Sequence, residues 1–227
     1  MKDLIEKILV YLPQYLTDFG SLLSGPKKFI AKTNTTSEES YVQALLFLGI
    51  SLVIVVIATK PFLLPGKDLW THVATVAVGF LLGVSLYAVA LRLAWRIVGG
   101  VASVRSFFVI YAYYFGVGMV LFALFNLLGD GIFKLLSPIY YETVLESWVN
   151  REKINAFTWD TGLLVSIFVR ISGVVFVFAW GIWGWGAYRV INGLSKARSA
   201  IALFIAIAFA IPVILIANLV MNSMDRL

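Results

Sequence analysis

The chain has no cysteine and a single histidine, His72. Disulfides, iron–sulfur ligation, thiolate zinc sites and a cysteine nucleophile are thereby excluded. Also missing are a phosphate-cradling Gly-Lys-Ser/Thr loop, a His-Glu-x-x-His pair, a Gly-x-Ser-x-Gly elbow and paired carboxylates within an apolar run. The expectation is a protein without metal or cofactor and without enzymatic activity. Charge is scarce as well. Only 13% of the 227 residues are charged and 61% are hydrophobic, against about 25% and about 45–50% in soluble domains. A chain this size cannot hide so much apolar surface in one aqueous core, so lipid must be part of its solvent. The net charge of +6 does not point to nucleic acid, because no soluble basic domain exists to carry it. In a membrane protein it reflects a positive-inside bias and contact with anionic headgroups.

What is present is an all-α integral membrane protein with about five transmembrane helices. Residues 1–32 form an amphipathic segment. Leu4, Ile5, Ile8, Leu9, Leu12, Tyr15, Leu16 and Phe19 make a helical stripe, with Lys2, Asp3, Glu6, Lys7, Gln14 and Asp18 on other faces. Charges interrupt it too often for a span or a signal peptide, so it is expected to lie in the interface plane. Pro13 is a candidate kink, and Gly25-Pro26 ends the helix. A polar linker follows at 33–40, where Thr36-Ser37-Glu38-Glu39 resembles a capping box. The sequon Asn34-Thr35-Thr36 falls on the cytoplasmic side, where it is idle.

Residues 41–227 carry five apolar runs near the roughly 20 residues a bilayer demands. They span about Tyr41–Thr59, Thr71–Trp95, Phe107–Leu128, Thr161–Tyr188 and Ser199–Val220. The third is expected to end at Gly129-Asp130-Gly131. The connection at 129–160 pairs Tyr140/Tyr141, Val144/Leu145 and Trp148/Val149 four residues apart, the mark of a helix lying on the extracytoplasmic surface. Most Lys and Arg flank one side: Lys2, Lys7, Lys27, Lys28, Lys32, Arg92, Arg96, Arg105, Arg189, Lys196 and Arg198. That side is expected to be cytoplasmic and to hold the N-terminus, with the C-terminus outside.

Arg170 is the strongest candidate for function, since an ionisable side chain inside a span is costly. No Asp or Glu falls within the expected spans to pair with it. Asn126, Tyr113, Ser166, backbone carbonyls, water or a bound anion must then meet its charge. A second constellation is the basic edge, Arg92, Arg96, Arg105, Arg189, Lys196 and Arg198, suited to anionic headgroups. Close helix packing is expected at Gly79-x-x-x-Gly83, at Gly116/Gly118 and along Trp180–Gly186, where rings and notches alternate. Pro212 is a candidate kink in the last span.

The run Trp95-Arg96-Ile97-Val98-Gly99-Gly100-Val101-Ala102-Ser103-Val104-Arg105-Ser106-Phe107-Phe108, continuing to Ala112-Tyr113, resembles the Yip (Ypt-interacting protein) domain family. The segments Val190-Ile191-Asn192-Gly193-Leu194-Ser195-Lys196-Ala197 and Ser24-Gly25-Pro26-Lys27-Lys28-Phe29 are similar to two further stretches of that family. The resemblance implies five spans, a cytoplasmic N-terminus and a role in membrane organisation, carried out in eukaryotes through small GTPases. The short N-terminal segment fits a compact prokaryotic member in the cytoplasmic membrane better than a GTPase recruiter. Two readings follow. One is a scaffold or partner subunit that organises the membrane, alone or as a homo-oligomer. The other is a scramblase, transporter or small channel using Arg170 as an anion or lipid-phosphate contact. A water-filled cavity reaching Arg170 from either leaflet discriminates in favour of the second.

Overall fold

A computed structural model describes residues 2–59, 69–149 and 159–224. They form eight helices in chain order: α1 Lys2–Ser24, α2 Pro26–Lys32, α3 Glu38–Thr59, α4 Leu69–Ile97, α5 Val104–Leu136, α6 Pro138–Val149, α7 Thr161–Asn192 and α8 Lys196–Met224. No strand occurs among the described residues. Five helices are long and apolar enough to cross a bilayer: α3, α5 and α7 throughout, α4 over Val73–Ile97 and α8 over Lys196–Val213. The protein is an all-α polytopic membrane protein. Lys60-Pro61, Lys67, Arg151, Lys153 and Arg226 lie outside the described residues.

α5 is the organising helix. α3, α4 and α7 pack on it, and α8 packs mainly on α4. Contact between helices is closest where glycine removes a side chain. Gly116 of α5 admits Phe47 and Ser51 of α3, whose atoms lie 2.9 and 2.8 Å from where a Cβ would stand. Gly184 of α7 admits the ring of Tyr114, whose hydroxyl donates to the Gly184 carbonyl at 3.0 Å. Gly173 of α7 receives Phe125 in the same way. By contrast Gly83 meets the Phe115 ring only at an ordinary 3.9 Å, so the expected α4 notch is not a close approach there. In a bilayer such small-residue contacts replace the hydrophobic drive of soluble cores.

α5 differs from its expected bounds. It runs through Gly129-Asp130-Gly131 to Leu136. Glycines punctuate helices in water because the freed backbone groups can be solvated. Here the cost of a helical glycine, about 1 kcal/mol, is offset by α7 and α6 packing on this helix, so it continues. Both prolines flagged as kinks, Pro13 and Pro212, also lie within continuous helices.

The N-terminal segment breaks as expected at Gly25-Pro26, but it is built into the bundle. Tyr15 is 2% exposed and Leu22 is fully buried. The Tyr15 hydroxyl lies 3.2 Å from Ser51 Oγ, thirteen residues beyond Glu38, or about 20 Å along α3 at 1.5 Å per residue. Trp180 Nε1 donates to the Leu22 carbonyl at 3.4 Å. The buried face runs through Tyr15, Asp18 and Leu22, while Leu12 and Leu16 are exposed. Asp18, expected on a polar face, is 7% exposed and accepts from Gln14 Nε2 at 2.7 Å and from the Tyr11 hydroxyl at 3.2 Å. In the linker, Ser37 rather than Thr36 caps α3, accepting the Ser40 N–H at 3.1 Å.

Candidate functional site: an ion pair facing a cavity

The turns after α4 and α7 meet at one end of the bundle, where the first turn of α5 also reaches the 33–37 linker. There Asn192 Oδ1 accepts the Ala102 N–H at 3.1 Å, while Asn192 Nδ2 donates to the Tyr188 carbonyl at 2.7 Å. A Cβ on Gly100 would lie 2.6 Å from Asn192 Oδ1. Gly99 (φ 95°) and Gly193 (φ 62°) take the left-handed backbone that ends each helix. This end also carries the basic residues. Arg105 donates to the Thr36 carbonyl at 3.4 Å, with its guanidinium carbon 5.9 Å from the centroid of the Tyr41 ring. Arg198 lies against Gly99. Arg96, Arg105, Lys196 and Arg198 are exposed, whereas Arg92 and Arg189 are half-buried. They make a rim, with Arg105 over the linker and Arg198 over the α4–α5 turn.

The other candidate lies toward the opposite end. A cavity of about 640 Å³ is bordered by the last turns of α3 (Val55, Ala58, Thr59), the second half of α5, the inner face of α6 and the first turns of α7. α3 and α7 pack on α5 from two sides, and α6 contributes Tyr141, Val144 and Leu145. These three belong to the amphipathic pattern expected at 129–160. The α5–α6 joint sits close to the start of α7. A Cβ on Gly162 would meet Ser137 Oγ, and Asp160 caps α7 by accepting the Leu163 N–H at 3.0 Å. Hydrogen bonds from Ser137 and from the backbone of Leu163 and Gly162 hold the Asp160 carboxyl below its ordinary range.

Arg170 faces this cavity. Its Nε donates to Ser166 Oγ at 3.2 Å, its Nη1 to Asn126 Oδ1 at 3.4 Å, and its Nη2 to Asp130 Oδ1. Asn126 is oriented in turn by donating to the Phe122 carbonyl at 2.9 Å. Gly129 makes the room: Arg170 Cγ and Nε lie 3.0 Å from where its Cβ would be. Ser166 and Asn126 therefore stand where the sequence placed them. The expectation that no carboxylate pairs with Arg170 is corrected, because Asp130 lies inside α5 and forms a salt bridge with it. Tyr113 is also corrected. It sits thirteen residues from Asn126, about 20 Å along α5, sealed in the core between Phe29 and Phe47. Gly129 and Asp130 are the site residues that the sequence does not signal, because Gly-Asp-Gly carries the pattern of a helix end.

The Arg170 side chain is 37% exposed and that of Asp130 14%. A guanidinium has five N–H donors. Three are committed to Ser166, Asn126 and Asp130, so two directions remain for an oxygen in the cavity. Apart from this cluster, Thr59 and the Tyr141 hydroxyl, the lining among the described residues is apolar. No protein-family model, no curated protein and no solved structure matches the chain.

Proposed function

We propose that the protein is a non-enzymatic membrane protein that binds the polar end of a membrane amphiphile in the α3–α5–α6–α7 cavity. The observation that carries this reading is Arg170, held by Ser166, Asn126 and Asp130 with N–H donors to spare, on the wall of an otherwise apolar cavity of about 640 Å³. A concave apolar site with a few convergent polar groups is the form a ligand site takes, and an intramembrane arginine marks a substrate path by default. Exchange of a lipid between leaflets, transport or passive sensing of the lipid all start from this binding step. Native mass spectrometry on protein released gently from its own membrane tests it. A phospholipid retained by the wild type and lost in Arg170→Gln is the expected result. Equal retention by both would remove the cavity from the function.

A second reading, a Yip-like scaffold that organises the membrane, draws support from the junction of α4–α5 with α7–α8. Two of the stretches that carry the resemblance, Gly99–Ser106 and Val190–Ala197, meet through Asn192. The basic rim would then face the cytoplasm and bind anionic headgroups, each cation contributing about 1 kcal/mol. The burial of Tyr15 and Leu22 leaves less of α1 free to recruit a partner than an unattached interfacial helix would offer. Deleting residues 1–20 tests this reading: loss of a co-purifying protein from a still-folded bundle is its expected outcome.

A further inference from the structure

Among the described residues the cavity lining carries no net charge, and that selects among amphiphiles. It holds one cation, Arg170, and one anion, Asp130, among these residues; Asn126, Ser166, Thr59 and Tyr141 are neutral. A purely anionic headgroup on the free N–H directions of Arg170 shares the one guanidinium with Asp130. Two negative charges then face a single cation on an apolar wall, where Asp130 is only 14% exposed, and the surplus charge is poorly solvated and unfavourable. A purely cationic group has the mirror problem with Arg170. A headgroup with both charges avoids the penalty. Its phosphate takes the free N–H directions of Arg170, while its ammonium takes Asp130 Oδ2, the oxygen that Arg170 does not engage. The pair opens or widens without leaving either charge alone.

We infer that the ligand is a zwitterionic phospholipid whose headgroup places its phosphate on Arg170 and its ammonium on Asp130. The inference rests on the binding reading above and narrows it to a lipid class. The apolar remainder of the wall, from Val55, Ala58 and Met119 to Val144, Leu145 and Leu163, receives the glycerol and first acyl carbons. A soluble zwitterion would leave that wall bare.

The test uses full-length protein in nanodiscs of equal palmitoyl-oleoyl phosphatidylethanolamine and phosphatidylglycerol, with retained lipid counted by native mass spectrometry. The wild type should retain phosphatidylethanolamine over phosphatidylglycerol by roughly tenfold, the ratio for about 1.4 kcal/mol. Asp130→Asn, nearly isosteric, leaves the site with a net positive charge and should reverse the order. Ala58→Phe, which narrows the cavity away from the ion pair, should reduce both lipids without changing their ratio. A wild-type ratio near one overturns the zwitterion assignment without recourse to any variant, as does an Asp130→Asn protein with unaltered preference. In either case lipid retention that Arg170→Gln abolishes keeps the binding reading alive. A wild type that retains neither lipid removes both. Displacement of the lipid by free phosphoethanolamine would mean a soluble ligand and also overturn the assignment.

Discussion

The two ends of α5 are built on opposite principles. Toward Val104 the helix is surrounded by stacked rings: Phe107 on Tyr188 at 5.5 Å, Trp95 on Trp185 at 5.2 Å, and Tyr114 edge-on to Trp180 at 5.3 Å. Packing there is so close that Trp95 Nε1 and Tyr188 Oη are sealed from solvent with no hydrogen-bond partner among the described residues. Toward Leu136 the same helix borders a cavity, and its polar groups gather around an ion pair with capacity left over. One end gives up hydrogen bonds for contact area, and the other gives up contact area to keep polar groups available. The first arrangement fills the space between helices with rings, and the second links α5 to α7 through polar groups beside open volume.

Adding the same few carbons at each end should separate the two designs most widely. Gly184→Val puts a side chain where the Tyr114 ring lies 2.7 Å from an ideal Cβ. It should cost about 3 kcal/mol, a fall in melting temperature of about 8 °C for a protein of this size. Ala58→Leu points its added carbons at the cavity and should stay within about 1 kcal/mol of the wild type. Thermal unfolding in one detergent, followed by size-exclusion fluorescence, measures both. Equal losses would mean that the cavity end is as tightly built as the ring end.

A smaller contrast is carried by two asparagines. Asn192 is 5% exposed and joins α7 to the α4–α5 turn through Ala102. Asn192→Ala leaves the Ala102 N–H without its partner and should cost about 2 kcal/mol. Asn126 is only half-buried, and the Arg170 Nη1 it serves can turn to water in the cavity. Asn126→Ala should cost less than about 1 kcal/mol. If Asn126→Ala proved the costlier, the ion-pair cluster would be a structural clamp rather than a site held open.

The same contrast explains what could be read from the sequence. Membrane class and five spans follow from hydropathy, because continuous apolar runs of about 20 residues satisfy their backbone in lipid as helices. Arg170 with Ser166 four residues before it on α7 was legible from helical periodicity, and so was the α6 face carrying Tyr141, Val144 and Leu145. Asp130 and Gly129 were not. Gly-Asp-Gly is a turn signal in water, and only the uninterrupted α5 turns it into a counter-ion beside a notch. Tyr113 was credible as an Arg170 partner only as long as depth along the helix was ignored. The inward turn of Asp18 was hidden for a different reason: its stripe is shared by apolar and polar residues, and only the partners Tyr11 and Gln14 make burial tolerable.

Asp18 supplies the smallest predicted effect, one that depends on pH. Burial pushes its carboxyl above the ordinary range, an effect partly offset by the bonds from Gln14 and Tyr11. The folded state therefore binds this proton more tightly than the unfolded chain. Below the ordinary aspartate value of about 3.9 both states are protonated and the residue costs nothing. As pH rises through that value and then through the higher folded one, the unfolded chain gains more from ionisation, so stability falls and stays lower. Asp18→Asn should then be stabilising at neutral pH, by about 2 °C in melting temperature, with the advantage fading below about pH 4. The amide keeps an oxygen for Gln14, and the Tyr11 hydroxyl can redirect its proton to the Gln43 carbonyl 3.5 Å away. A variant destabilised at every pH would mean that the charge itself holds α1 against the bundle. The ring end would then depend on electrostatics that its dense packing disguises.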